Sequence, residues 1–584
     1  LTFFWLASGR EAGNLAPMSE RLAGLLLPAF SPRREGDLGI GDTRALREWI
    51  DLSSEHGVGF LQLLPINETG ADDSPYNAIS SVALEPLYLT MEEVPGLTAS
   101  ELSDARDRVE AVGEMGVGLD SSAPVVEYHQ VRRVKRALLE LAWARWNRAE
   151  PSLHEAFAAF RQKEAGWLDH YCVYRWLMDR AGGTEAWDLW PRDWHSVTGA
   201  RQFLQKQREV DGPMVDSRLS YFAWVQWLCF HQWREVKKYA DSKGLKLMGD
   251  IPIGVSRYSA DVFFGREDFD LDWCGGAPPE TMFKHDRFIQ KWGQNWGIPL
   301  YQWEKMADEG FPWWRQRIDK LTDIFRIFRI DHVLGFYRIY AFPWRPQLNA
   351  EFLELNEKEA ALKTGGELPG WSPRPDDTDS NKAANRADGD LRLKVILEAA
   401  GESDVVGEDL GCVPEYVRPH LALLGIAGFR IPHWDFDDEG EVIPGDQLPE
   451  CSFATYATHD HLPIPAMWEE FRAHSVDESL EDHERLDAAE HLRLMMEFAG
   501  IEKDEPFNDE ILWKLIDALM ACNSRYAAIM VNDLFGMTER INQPGTVGPQ
   551  NWTFRLPKTA AEYRNDPAWG LLKASVASSG RCLR

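Results

Sequence analysis

The chain has 584 residues, 44% of them hydrophobic and 27% charged, enough for a large globular core and too long for one small domain. Its 93 acids against 63 bases give a formal net charge of −30, a surface that repels nucleic acid and anionic membranes but says little about an uncharged ligand. The seven cysteines form no CxxC pair and no apolar run reaches 18 residues. The first argues against a zinc site or a disulfide framework and for a reducing, cytoplasmic setting; the second against a membrane-spanning helix.

Residues 1–20 are short of a basic leader segment and begin without Met, and read as an N-terminal extension rather than a secretory signal. Organised sequence starts near Arg21. The first apolar run is Leu22–Pro28, followed by Gly39-Ile-Gly-Asp42 and a helix-like Leu46–His56; the second is Gly59–Pro65, with a polar tail through Asp73-Ser-Pro-Tyr76. Strand, helix, strand in this order is a βαβ unit with parallel strands. Residues 88–218 then carry helical patterns with acidic faces and many aromatic residues, read as an inserted helical subdomain that runs into a crossover helix over Leu219–Ala240. Run three is Leu245–Ile253. The Gly-, Pro- and Trp-rich stretch 272–303 has the composition of a lid-like loop.

Run four, Ile327-Phe-Arg-Ile-Asp331, ends in an acid. Residues two apart in a strand share a face, so Arg329 and Asp331 lie together, and a guanidinium favours the charged form of a neighbouring carboxyl. Taken alone this is equally an ordinary ion pair at a strand end. Residues 369–390, crowded with Pro, Asp, Ser, Asn and Gly, read as a polar surface loop. A helix-like Leu391–Ala400 leads to run five, Asp404–Leu410. Runs six to eight are Ala427–Trp434, Ser452–Asp460 and Ala527–Asp533. Eight strands alternating with helices predict an α/β protein, a (β/α)8 TIM barrel over residues 21–584 with inserted, mainly helical subdomains and no C-terminal β-sandwich. Such barrels carry their chemistry at the C-terminal strand ends. Here several of those ends are acidic: Asp250, Asp331, Glu408-Asp409 and Asp460. Two carboxyls on one floor cleave a glycosidic bond when one attacks the sugar carbon and the other protonates the leaving oxygen. Alternation does not choose between Glu408 and Asp409, and His459 is as readily a packed histidine as a ligand to a hydroxyl.

Taken together, the motifs resemble the 4-α-glucanotransferases (amylomaltases or disproportionating enzymes, glycoside hydrolase family 77 of the α-amylase clan). The matching pieces are Gly39-Ile-Gly-Asp42, Leu64-Pro65 with Asp73-Ser-Pro-Tyr76, Gly249-Asp-Ile-Pro-Ile253, Gly276-Ala-Pro-Pro279 and Gly293-Gln-Asn-Trp-Gly-Ile-Pro-Leu-Tyr301. They continue with Phe328-Arg-Ile-Asp-His332, Gly407-Glu-Asp-Leu-Gly411, Thr458-His-Asp460, Arg540-Ile-Asn-Gln-Pro-Gly-Thr546 and Asn551-Trp552, in the family's order over about residues 21–557. The resemblance implies Asp331 as nucleophile of a covalent glucosyl-enzyme, Glu408 as acid/base and Asp460 as stabiliser of the transition state. It implies that Arg329 orients Asp331, and that His332, His459, Asp250, Tyr76, Trp296, Ser74 and Gln294 bind substrate. The sequence departs from the family pattern at His461, where Asn is usual, and in a longer, more polar connection around Ser372–Asp390.

The implied reaction moves a segment of a 1,4-α-glucan to glucose or another glucan with retention. No metal and no organic cofactor is expected, and the chain is read as a monomer or homodimer. Two alternatives use the same residues: predominantly hydrolytic α-glucan cleavage, and a non-catalytic glucan-binding protein, which predicts that one of the three acids is missing. None is. The stretch after Gly536 is shorter than the roughly 100 residues of a typical β-sandwich, which favours the glucanotransferase over an ordinary amylase.

Overall fold

The computed structural model describes residues 20–113, 124–280, 286–437 and 439–581; most of the N-terminal extension and part of the stretch 272–303 lie outside them. In chain order the strands are β1 (Leu22–Leu26), β2 (Phe60–Gln62), β3 (Lys246–Ile251), β4 (Phe269–Ala277), β5 (Gln294–Tyr301), β6 (Ile327–Ile330), β7 (Ile339–Phe342), β8 (Gly370–Ser372), β9 (Asp404–Gly407), β10 (Ala427–Arg430), β11 (Ser452–Ala454) and β12 (Tyr526–Met530). Eight of them close into a barrel in the order β1-β12-β11-β10-β9-β6-β3-β2, every pair parallel. These are the eight apolar runs, and the predicted (β/α)8 barrel is what forms. The runs lack polar alternation because a parallel barrel strand is buried on both faces.

One face of every strand fills the barrel. Leu22, Phe60, Met248, Ile327, Val406, Phe429, Phe453 and Tyr526, one from each strand, form a single buried cluster. Phe60 meets Phe453 and Tyr526 at centroid distances of 6.0 and 5.7 Å. Gly24 makes the space: a Cβ there would stand 2.1 Å from the Phe60 ring. Because Phe60 fills the centre of a closed cylinder that cannot collapse inward, Phe60→Ala is expected to cost about 3–5 kcal/mol. A urea-unfolding series checks this, and a loss below about 1 kcal/mol would show that the plug repacks. Outward-facing residues of the same strands, Phe328, Ile330 and Val405, belong to a second cluster under the surrounding helices.

The insertion is helical: Tyr128–Ala144, Pro151–Arg180 and Val197–Ser242, the last continuing into the crossover before β3. Among the described residues no helix is long and apolar enough to cross a membrane.

Two segments differ from the loops expected of them. Residues 272–303 contribute β4 and β5 to a four-stranded antiparallel sheet, order β5-β4-β7-β8. Its strands were hidden because Gly275, Gly276 and Gly297 interrupt any apolar alternation and the β4–β5 register is broken by bulges. Residues 369–390 hold β8 and the first three turns of a helix, Asp379–Ala400, capped by Thr378. The inward positions of those turns are Asn385 and Gly389, not large apolar residues. Asn385 is buried and bonds Asp376 and Arg374, and Gly389 lies where a Cβ would meet the Tyr337 ring at 2.3 Å. The helix is therefore real but has no hydrophobic period to read.

Candidate active site

The barrel's alternation decides which side chains reach its mouth. Ile327 lies in the central plug, so Arg329 and Asp331, two and four residues on, share its inward direction. Met248 and Val406 do the same for Asp250 and Glu408. Register pairs Asp250 with Arg329, and Ile330 with Gly407, so Asp331 and Glu408 each stand one step beyond the last paired residues of neighbouring strands. Asp409 points the other way. It accepts the Phe429 amide at 2.5 Å and faces Arg418 at 3.1 Å, a wall contact that leaves Glu408 as the acid at the mouth.

Arg329 ties the floor together. Its Nη1 reaches Asp250 Oδ2 at 2.6 Å and its Nη2 reaches Asp331 Oδ1 at 2.8 Å. Burial would weaken its charge, yet Asp250 and Asp331 hold the guanidinium well above its ordinary range. The Tyr76 hydroxyl donates to Asp250 Oδ2 at 2.8 Å. The Tyr76 ring stacks on His459 at 5.2 Å and 19°, and His459 Nε2 lies 3.3 Å from Asp460 Oδ2. Asp250, Arg329, Asp331, Tyr76, His459 and Asp460 thus form one connected patch. Glu408 joins it across the backbone: the amide of His332, the residue after Asp331, donates to Glu408 Oε2 at 2.7 Å, and that of Leu410 to Oε1 at 3.2 Å. His332 sits in the left-handed region, φ 48°, strain of the kind that collects at functional sites.

The carboxyls are driven apart in acidity. Burial, with Asp331 adding like charge against the pull of Arg329, pushes Glu408 up to about 8, so it carries its proton at neutral pH. Asp460 is also raised by burial, but the neighbouring His459 and the Asn542 amide, which donates at 2.6 Å, outweigh this and hold it well below the usual carboxylate range. Asp250, fully buried, is pushed up to about 6 despite Arg329. Burial lowers His332 to about 4, so its ring is neutral. A carboxyl raised by burial, Glu408, in the same mouth as one held down, Asp460, is the separation of acidities that acid-assisted displacement needs.

Trp296 packs edge-on against His332 at 4.9 Å and bonds Gln294 through its indole N–H at 3.2 Å; by these contacts Gln294 reaches Glu408 only through Trp296 and His332. Ser74 lies on the loop before Tyr76, its Oγ accepting the Tyr76 amide at 3.4 Å and its own amide donating to Asp72 Oδ1 at 2.9 Å; among the described residues no hydrogen bond joins it to Asp250, Asp331, Glu408 or Asp460. Two neighbours had no assigned part: Asn542, which anchors Asp460, and Trp552, which packs at 5.7 Å against both Tyr76 and His459. Both fall inside recognised motifs, but nothing in their spacing shows that the loop after β12 folds back over β11.

A parallel (β/α)8 barrel that brings carboxyls from neighbouring strands together at its mouth is the architecture of a carboxylate-driven glycan-active enzyme. Comparison with known proteins specifies the class further. The family model for 4-alpha-glucanotransferase matches residues 27–560, and the chain belongs to that family. It is 28% identical over 567 residues to the 4-alpha-glucanotransferase of Chlamydia caviae, covering 95% of this chain and 94% of the relative. It is also 28% identical over 550 residues to that of Thermus thermophilus, covering 92% and 95%. Among solved structures, an amylomaltase from Streptococcus agalactiae in complex with acarbose superposes with a TM-score of 0.72 at 23% identity, covering 97% of this chain and 100% of that one, a likeness of fold.

Proposed function

We propose that the chain transfers segments of 1,4-α-glucans to glucose or glucan acceptors by retaining double displacement, with Asp331 as nucleophile, Glu408 as acid/base and Asp460 as the charge that stabilises the transition state. The observation that carries this is the register of β6 and β9, which sets Asp331 and Glu408 side by side. Neighbouring strands lie about 4.8 Å apart at the backbone, which brings both carboxyls within reach of one sugar ring, as the roughly 5–5.5 Å pair of a retaining enzyme requires. In the first half-reaction Glu408 gives its proton to the leaving glycosidic oxygen as Asp331 bonds the anomeric carbon. In the second, Glu408 takes the proton of the acceptor hydroxyl that displaces Asp331. Arg329 aims the nucleophile, and Tyr76, His459 and Asp250 bind the donor ring. Asp250 Oδ1, Arg329 Nε and His459 Nδ1 are buried with no partner among the described residues, the kind of groups sugar hydroxyls satisfy. Ser74, Gln294, Trp296 and His332 border further glucose units.

The same reading takes residues 21–584 as one catalytic unit. Within it, residues 88–218 are the helical insertion, and the segment around 272–303 shields the acceptor side from water. With its net charge of −30 the protein acts on neutral malto-oligosaccharides in the cytoplasm, as a monomer or homodimer, without nucleic acid, membrane or cofactor.

Incubation with pure maltotriose tests transfer. The expected product is glucose together with a ladder of longer oligosaccharides at constant total reducing ends. Shortened products with reducing ends rising in step would instead establish hydrolysis.

A further inference from the structure

The chain between β2 and the helical insertion folds back on itself, bridging Asn67 with Leu84 and Thr69 with Ala78, and carries Tyr76 near its tip. From Gly70 to Ala78 the one buried side chain is Pro75, so apolar packing does little to fix the tip. Polar groups of three helices grip the loop instead. Arg132, on Tyr128–Ala144, donates from Nη1 to the Gly70 carbonyl at 2.8 Å and the Thr69 carbonyl at 3.2 Å, and from Nη2 to Thr69 Oγ1 at 3.2 Å. Its Nη2 also lies 3.7 Å from Asp73 Oδ1. Tyr171 and Arg175, on Pro151–Arg180, hold the buried Glu68: the phenol donates to Oε2 and the guanidinium stands 3.3 Å from Oε1. Gln226, on Val197–Ser242, accepts the Leu84 amide at 2.8 Å and donates to the Leu84 carbonyl at 2.9 Å. The insertion comes so near that a Cβ on Gly70 would stand 2.7 Å from the Glu185 carboxyl.

We propose that the helical insertion serves the reaction as a brace for the Tyr76 loop, and that Arg132 is its positioning residue, touching no sugar and acting through Tyr76. The proposal rests on the donor-ring assignment of Tyr76 made above. Tyr76 meets two demands at once: its hydroxyl lies on Asp250 Oδ2 at 2.8 Å and its ring stacks on His459 at 5.2 Å. A displacement of about 1 Å spoils both, and misplacement on that scale costs on the order of 10²-fold in rate. Glu68 and Leu84 lie at the root of the loop, where the chain is already buried. Of the gripping side chains, Arg132 reaches farthest toward the tip. It is also partly exposed, as is Asp73, and Thr69 keeps its bonds to Glu85 at 3.0 and 3.1 Å without it. Removing its donors therefore loosens the tip without stranding a buried acid.

The test measures kcat/KM for glucose release from maltotriose. Arg132→Met keeps the apolar stem and removes every donor; it is expected to lower kcat/KM about tenfold, with Arg132→Lys in between. Tyr76→Ala is expected to be impaired by itself. Adding Arg132→Met to it should cost no more than about twofold, because a residue that acts through Tyr76 then has nothing left to act on. The same loss repeated in full on the Tyr76→Ala background, or no loss in Arg132→Met alone, overturns the proposal. Amide hydrogen exchange gives a readout independent of turnover: exchange over residues 67–78 should quicken in Arg132→Met while the barrel strands keep their protection. Unchanged exchange in that segment overturns the proposal as well. If Tyr76→Ala turns over maltotriose as fast as the unaltered chain, Tyr76 is not at the donor ring, and the brace falls together with that assignment. An impaired Tyr76→Ala beside a silent Arg132→Met removes the brace and leaves the assignment standing.

Discussion

Asp331→Asn is expected to lower turnover on the order of 10⁴-fold or more while the protein stays folded and still binds malto-oligosaccharide. The amide keeps the size of the carboxyl and an oxygen for Arg329 Nη2, but it does not bond the anomeric carbon as a leaving-group-competent ester. The fold survives because Arg329 retains its closer partner, Asp250 Oδ2 at 2.6 Å, so no buried guanidinium is stranded. Removing Asp250 instead would leave Arg329 with a single carboxylate partner, Asp331, and the Tyr76 hydroxyl without its acceptor. Labelled-acceptor transfer and calorimetric titration with maltotriose read the two halves separately. Turnover within tenfold of the unaltered chain, with binding intact, would remove Asp331 from the nucleophile's place.

The barrel was legible because its strands are buried on both faces and so announce themselves as apolar runs, and because Asp331 and Glu408 follow such runs directly. Asp331 after Phe328-Arg-Ile330 is the clearest case. The antiparallel sheet was not legible, since β4 and β5 are partly exposed strands broken by glycines, and β8 is only Gly370–Ser372. A polar helix whose inward positions are Asn385 and Gly389 carries no period. Choosing Glu408 over its neighbour needed either the family pattern or the sight of Asp409 bonded to Phe429 and Arg418. Contacts made by chain folding back over itself, such as Asn542 on Asp460 across 82 residues, leave no trace in local spacing. Residues 369–390, which read as a surface loop, instead supply β8 and the start of a helix, and Trp371 of β8 lines a cavity together with His332 and Leu410.

Glu408→Gln should reduce turnover by about 10²–10⁴-fold, the usual worth of a positioned acid, and it has a signature that a merely structural residue lacks. Unfolded, a glutamate releases its proton near the ordinary value of 4.5; in the native protein Glu408 holds it up to about 8. The native state therefore binds the extra proton between these limits. Its contribution to stability is full below about pH 4.5 and is lost as the pH rises through about 8. Glutamine mimics the protonated carboxyl at every pH and removes that slope. It also loses one of the two amide contacts, most simply the 3.2 Å bond from Leu410, which shifts stability by a constant that does not depend on pH. The informative quantity is then the difference in Tm between variant and unaltered chain, which is expected to move in favour of glutamine from pH 5 to pH 8. In the same interval the alkaline limb of kcat/KM, set by loss of the Glu408 proton near pH 8, should be seen only in the unaltered chain. Parallel Tm curves across that range would mean that Glu408 is already ionised in the native protein at neutral pH, and a carboxylate in that state has no proton to give a leaving oxygen.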